Sequence, residues 1–505
     1  MSACRWPVNR GMGLLVLVVG LIVGGNALPT GGLLVSAAQA AEEGHAATAT
    51  DHGHDDHGHG DDELTMGHKL PVITVLPFAA ILLCIAILPL ATPHWWEHNR
   101  NRAIVAFVLA APVAAYLLLS WGHEGQHALQ HSLKEYISFI LLLGSLYIIS
   151  GGIYVQGSLA GTPIVNTGVM ALGALIASFI GTTGASVLLI RPLLRANAPR
   201  ERKAHIVVFF IFIVSNCGGL LTPLGDPPLY LGFLNGVPFT WTFQLWGQWL
   251  LVNGILLVMF NIYDQIVLNK EELARPGSQL EEVEHHEPLR IIGMHNFIFL
   301  GAIVAIIYCS GSGIGNGGQP WAYGVGETAM LLTAIVSYFA TANMIREKNR
   351  FSFAPIVEVA ILFGGIFITM IPAMQILNAH GKSLGVSEPW QFFWASGALS
   401  SFLDNAPTYL TFAATAAGME GIATSTPAFL GKFLQIEGAG EILAAISCGS
   451  VFMGANTYIG NGPNFMVKAI AEENGVKMPS FFGYMAYSGA ILIPIFILVT
   501  FVFFR

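Results

Sequence analysis

Charge is what this sequence has least of. Only 10% of its 505 residues are Asp, Glu, Lys or Arg while 54% are hydrophobic, well under the roughly 25% charged share of an ordinary soluble domain. Long polar stretches are also missing. Uncharged runs of about 20 residues, enough to cross a bilayer, are joined by short connections that leave no room for a soluble catalytic domain. Cysteine is scarce as well: of the five, Cys84, Cys217, Cys309 and Cys448 fall in apolar runs and Cys4 lies near the N-terminus, which excludes a disulfide framework and the paired spacing of a zinc site. No metal-binding helix motif and no nucleophile with its base is found, so an intramembrane enzyme has no support. No nucleic-acid partner is expected. What remains is an all-α polytopic membrane protein that acts within the bilayer or at its faces.

The N-terminus carries two tracts of different character. Residues 1–40 have the layout of a secretory signal: Arg5 and Arg10, an apolar run from Met12 to Val23, then small residues ending Ala38-Gln39-Ala40. An uncleaved signal anchor is the other reading. Residues 41–70 form a low-complexity, His- and Asp-rich tail expected to be disordered and periplasmic. In it His52, His54, His57 and His59 stand among carboxylates, a chemistry suited to loose capture of a transition metal. A solvated tail with no required metal explains the same composition. His123, His127 and His131 also recur at i, i+4, as an interfacial amphipathic helix or a metal site would have them.

Hydrophobic runs predict spans near 71–91, 103–121, 136–157, 205–232, 241–267, 291–310, 323–344, 355–377, 441–470 and 481–504. Two apolar segments, 162–196 and 390–416, do not fit as single crossings. Treating each as a re-entrant hairpin puts fifteen basic loop residues on the cytoplasmic side against five outside, Lys69, Lys134, Lys382, Lys432 and Arg505. That asymmetry is the one expected for a bacterial inner membrane. Making either segment a full span would place a basic loop on the wrong side. The first hairpin then opens to the cytoplasm and the second to the periplasm.

An internal repeat supports the same topology. Leu143-Gly144-Ser145-Leu146-Tyr147-Ile148 corresponds to Phe363-Gly364-Gly365-Ile366-Phe367-Ile368, and Ser178-Phe179-Ile180-Gly181-Thr182-Thr183 to Ser401-Phe402-Leu403-Asp404-Asn405-Ala406. A third match pairs Thr222-Pro223-Leu224-Gly225-Asp226-Pro227-Pro228 with Thr457-Tyr458-Ile459-Gly460-Asn461-Gly462-Pro463. Two inverted repeats are therefore expected, 71–267 and 291–505, joined by a cytoplasmic linker at 268–290.

Gly and Pro interrupt helices, and in hydrocarbon a freed backbone group must find a partner in protein, ion or water. Paired breaks in two halves mark the substrate site of a secondary transporter. Oxygen-bearing side chains gather at these breaks. The first half offers Thr182, Thr183, Ser186, Ser215, Asn216, Thr222 and Asp226. The second offers Asp404, Asn405, Thr408, Asn456, Thr457, Asn461 and Asn464. Such donors suit hard cations such as Na⁺. A central Asp carries an insertion penalty of roughly 2.5–3.5 kcal/mol and is usually functional, which singles out Asp226 and Asp404 over Glu327 and Glu358. No Lys or Arg lies deep in these motifs; Arg191 is the nearest.

The blocks SNCGGLLTPLGDPPLYLGFL (Ser215–Leu234) and SSFLDNAPTYLTF (Ser400–Phe412) resemble signatures of NhaD-type sodium/proton antiporters of the ion transporter superfamily, whose relatives include citrate, dicarboxylate and arsenite carriers. The resemblance covers most of residues 70–505. It implies paired hairpins and broken helices and a homodimer. The Ser-Asn-Thr hairpin signature of dicarboxylate/sodium symporters is missing: the tips read Gly181-Thr182-Thr183-Gly184 and Asp404-Asn405-Ala406-Pro407-Thr408.

The expected activity is exchange of cytoplasmic Na⁺ or Li⁺ for H⁺ by competition at the tip carboxylates, with no cofactor. The main alternative is a carrier for citrate or another carboxylate, coupled to Na⁺ or H⁺. A membrane receptor or metal sensor using the histidine tail is the third reading, and the paired breaks argue against it.

Overall fold

The computed structural model describes residues 66–274, 276–277 and 287–505. The expected signal and tail histidines His52, His54, His57 and His59 lie outside the described residues. Of the expected disordered tail, residues 66–70 are among those described, and they are ordered: Met66–Lys69 forms a helical turn with Met66 and Leu70 buried.

With the two arms of the long helix Asn99–Ser150 counted separately, each half supplies the same succession of helices, and the strands differ in place. In the first, α1 (Leu76–Ala91) and α2 (Asn99–Ser150) are followed by a strand β1 (Tyr154–Ser158), then by α3 (Pro163–Ile180) and α4 (Thr182–Ala196), which form the first hairpin. A broken helix comes next, α5 (Ala204–Ile213) and α6 (Pro227–Leu234), and then α7 (Trp246–Ala274). In the second half, strand β2 (Glu287–Ile292) leads to α8 (Asn296–Ser312), α9 (Val325–Ala340) and α10 (Ala354–Ala379). The second hairpin is α11 (Pro389–Ser400) with α12 (Asn405–Met419), the second broken helix is α13 (Ala439–Met453) with α14 (Gly462–Glu473), and α15 (Phe481–Phe503) closes the chain. Eight helical stretches of the described residues are long and apolar enough to cross a membrane, and α8 and α9 are shorter apolar helices. The protein is an all-α polytopic membrane protein.

Local sequence explains where these helices start and stop. Proline stands in the first turn of α3, α6, α11 and α14, where its missing amide hydrogen would be unpaired anyway. Gly181 ends α3 at φ 82°, a left-handed conformation that a Cβ disfavours.

Three expectations about boundaries change. The spans predicted at 103–121 and 136–157 are two arms of α2, separated by a kink at Gly122 (φ 48°, ψ −117°), and the segment bearing His123, His127 and His131 is helical throughout. Residues 154–158 are not helical: β1 pairs antiparallel with β2, Tyr154 opposite Ile292 and Gln156 opposite Arg290. The predicted linker 268–290 is accordingly not a plain loop, since α7 runs to Ala274 and β2 starts at Glu287.

Packing sorts the helices into an outer frame and an inner core. The frame is α1, α2, α8, α9 and α10, with the α2–α10 contact its centre. There Ser132 donates to the Phe367 carbonyl (2.6 Å) and Tyr136 to that of Ala360 (2.7 Å), while the Phe139 and Phe363 rings stack at 4.9 Å. The core holds both hairpins, both broken helices, α7 and α15. Burial is highest in the broken helices: 89% of Ala204–Leu221 and 78% of Ala439–Asn456 is buried, against 17% of Val72–Pro89. The broken helices are therefore the protein's interior, and the frame helices turn apolar side chains outward as a lipid-facing surface requires.

Candidate functional site

The two breaks are built alike. Thr222 and Thr457 have the same extended backbone, φ −137° and −136°. The Thr222 hydroxyl donates to the Ser178 carbonyl and accepts from the Leu224 amide (3.1 Å). Thr457 likewise donates to the Ser401 carbonyl (2.5 Å) and accepts from the amides of Ile459 (3.2 Å) and Gly460 (3.0 Å). These threonines thus satisfy backbone groups that the helix breaks set free and tie each break to its own hairpin. Glycine is required beside them. A Cβ on Gly225 would collide with the Gly219 carbonyl, and one on Gly460 would crowd the carbonyls of Gly454 and Ser400. The residues at Asp226 and Asn461 match in backbone too, φ −141° and −148°, so the first half carries an acid where the second carries its amide.

Asp226 is 1% exposed and joins both hairpin tips. Thr182, from the first tip, donates to its Oδ1 (3.0 Å), and Asn405, from the second, donates to its Oδ2 (2.8 Å). Asn461, at the opposite break, reaches Oδ1 at 3.3 Å. The network continues through neutral groups. Asn461 also donates to the Asn216 Oδ1 (3.1 Å) and the Ser215 carbonyl (3.2 Å), and Asn216 donates to the Asn464 Oδ1 (2.7 Å). Asn464 in turn holds the carbonyls of Gly454 and Thr457, both at 2.9 Å. On the first-half side the Ser186 and Ser215 hydroxyls lie 2.8 Å apart. On the second-half side Ser400 donates to Asn405 Oδ1 (2.9 Å) and Asn456 to the Ser401 hydroxyl (2.9 Å). The buried Asn456 Oδ1 has no partner.

Three expected residues stand apart from this cluster. Asp404 is partly exposed and caps α12, accepting from the Ala406 amide at 3.0 Å. Thr408 spends its hydroxyl on the Asp404 carbonyl within the same helix, at 2.9 Å. Thr183 is partly exposed beside the buried Thr182.

No Lys, Arg or His contacts Asp226 among the described residues. A buried carboxylate with only neutral donors is expensive unless its charge is neutralised. Among the described residues no three of His, Cys, Asp and Glu converge to hold a metal ion, His123, His127 and His131 included.

The sequence is matched over residues 67–504 by the family model CitMHS_2, described as "Putative citrate transport". The chain belongs to this citrate-transport family. It is accordingly a multi-pass membrane protein and a secondary transporter of the citrate-transporter kind. Among curated proteins, none matches the chain. Within this family member, the matched region spans every residue of the Asp226 cluster and both hairpins.

Among the buried polar groups that went unread in the sequence is an ion group. Arg200 belongs by sequence to a basic cytoplasmic loop, yet its side chain is fully buried, 2.6 Å from Asp264 Oδ1 on α7. The His205 Nε2 meets the same oxygen at 2.7 Å. An Asp in a span followed by a basic loop was the only available signal, and it reads equally as an interfacial residue.

Proposed function

We propose that this family member is a cation-coupled secondary transporter whose coupling ion binds at Asp226 between the two hairpin tips, exchanging cytoplasmic Na⁺ or Li⁺ for H⁺. The observation that carries the reading is that Asp226 is buried, bonded to both tips and faced by amides and hydroxyls alone. Each oxygen-bearing neighbour can serve either state. An amide turns its NH₂ toward a bare carboxylate and its carbonyl oxygen toward a bound cation. A protonated Asp226 and a cation-bound one are both neutral overall, so either satisfies the interior, whereas the empty anion does not. Exchange follows if only the neutral forms change access.

In this reading Asp226, Asn405, Thr182, Asn461 and Asn216 are the ion-binding set, with Ser186 beside it. Thr222, Thr457 and Asn464 hold the breaks, and Asp404 stands at the approach to the second tip. The membrane is a bacterial inner membrane with the N-terminal tail on its periplasmic side.

The family match favours a second reading, carriage of citrate with Na⁺ or H⁺ as coupling ion at the same cluster. A tricarboxylate would then need its charge offset by bound cations and helix N-termini, because the cluster offers no cationic side chain.

Reconstituted protein in liposomes separates the two. Proton movement on adding Na⁺ or Li⁺ without citrate, abolished in Asp226→Asn, is the expected result. Flux that requires citrate would replace the exchanger with a carboxylate carrier, and an active Asp226→Asn would remove Asp226 from the site.

A further inference from the structure

The base of the first hairpin is held by charge. Asp264, on α7, receives Arg200 Nη1 (2.6 Å) and His205 Nε2 (2.7 Å) on Oδ1 and Asn166 Nδ2 (3.1 Å) on Oδ2. Asn166, on α3, and Asn197, at the end of α4, exchange amide bonds of 2.9 and 2.8 Å. Seven residues further along α7, Glu271 accepts from the Arg202 amide (2.7 Å) and lies 3.6 Å from Arg200 Nε. One carboxylate thereby holds the first arm of the hairpin, the loop that leaves it and the first turn of α5, and reaches the end of the second arm through the Asn166–Asn197 pair. The side chains of Asp264 and Arg200 are completely buried.

At the corresponding place in the second half, α15 meets the first arm of its hairpin through one neutral bond, Trp394 Nε1 to Thr500 Oγ1 at 3.0 Å. A buried ion group is a poor source of net stability compared with well-packed apolar residues. Geometry gives it another use. The helix α4 starts at Thr182 and ends beside Asn197, about 22 Å away at 1.5 Å per residue, so its ends lie at Asp226 and at the Asp264 node. The helix α5 likewise runs from His205 to the break that carries Asn216 and Asp226. Two stiff elements clamped together at one end must meet in a fixed register at the other.

We propose that Asp264 is a positioning residue for the ion site, fixing the base of the first hairpin against α5 so that Thr182 reaches Asp226. This rests on the reading of the Asp226 cluster as the transport site. The node acts on one tip alone: the second tip approaches Asp226 without it.

The test compares the two tips by hydrogen exchange in lipid nanodiscs. In Asp264→Asn the amides around 181–190 are expected to exchange about tenfold faster, with those around 404–412 unchanged, and Asp264→Glu should recover part of the protection. Asn166→Ala, which leaves the Asp264–Arg200 pair in place, should give a smaller rise confined to the same tip and serves if Asp264→Asn does not fold. In liposomes the Asp264→Asn half-saturation for Na⁺, or for citrate if that is what the wild type carries, should rise about tenfold while the maximal rate falls less. Equal acceleration at both tips, or none at the first, overturns the proposal. Normal transport by Asp226→Asn would sink the site reading instead, with the exchange contrast left standing.

Discussion

A carboxylate held by neutral donors behaves unlike one that faces an arginine, and the first half of this protein contains both. Asp226 has Thr182, Asn405 and Asn461; Asp264 has Arg200 and His205. In the proposed exchange only the first can trade one positive charge for another, because the second has its counter-ion built in. The threonines at the breaks have a different task. Thr222→Val strands a buried carbonyl and one backbone amide and Thr457→Val a carbonyl and two amides, and each should lower stability by about 1–3 kcal/mol, read as a drop in melting temperature in detergent. Thr408→Val removes a bond within a helix that keeps its backbone pairing, so melting and flux should stay close to wild type; a large loss of flux would return Thr408 to the ion-binding set. Sequence made Asp226 legible because its Gly-Asp-Pro setting is repeated as Gly-Asn-Gly at 460–462. It hid Asp264, whose partners Arg200 and His205 sit in a run of basic residues that topology alone explains.

Elements were legible wherever the cause of their ends is local. Proline in the first turn opens α3 and α11 and glycine at the tip ends α3, and the breaks fall at Thr222–Asp226 and Thr457–Asn461 where the repeat placed them. Strand β1 was not legible. Its pairing with β2 is set by residues more than 120 positions away, and an apolar continuation of α2 is the locally simpler reading. The connection between the spans predicted at 103–121 and 136–157 is a kink at Gly122 followed by continuous helix, because one left-handed residue redirects the chain without ending helical bonding on either side. The close packing inside each break makes glycine indispensable. Gly225→Ala and Gly460→Ala must push apart backbone that already touches, a kind of overpacking that typically costs about 1–3 kcal/mol. Both should melt earlier and lose transport. Unaltered melting in either would show that the break relaxes.

At the scale of the whole molecule, the frame and the core differ in what movement would do to them. The α2–α10 contact joins two frame helices through Ser132 and Phe367. By contrast the frame residue Glu135 accepts from Asn235 at the end of α6, at 2.6 Å, so that contact crosses from frame to core. If the core moves against the frame, a cysteine cross-link between positions 132 and 367 should leave flux intact and one between 135 and 235 should stop it. The comparison is made with Cys84, Cys217, Cys309 and Cys448 replaced, and retained flux in the second cross-link would argue for movement confined to the tips. Architecture at this scale was readable from the three repeat matches. The assignment of each helix to frame or core was not, because both are apolar enough to cross a membrane and the division rests on which neighbours bury them.

The small sheet of β1 and β2 changes how the first half is to be counted. The chain leaves the frame at Ser158 and comes back at Glu287, and those two points are paired strands. Everything between them, hairpin, broken helix and α7, is in effect a cassette inserted into the frame through adjacent entry and exit. Because entry and exit are held side by side by the β1–β2 pairing, the cassette is joined along the chain to the frame at a single place.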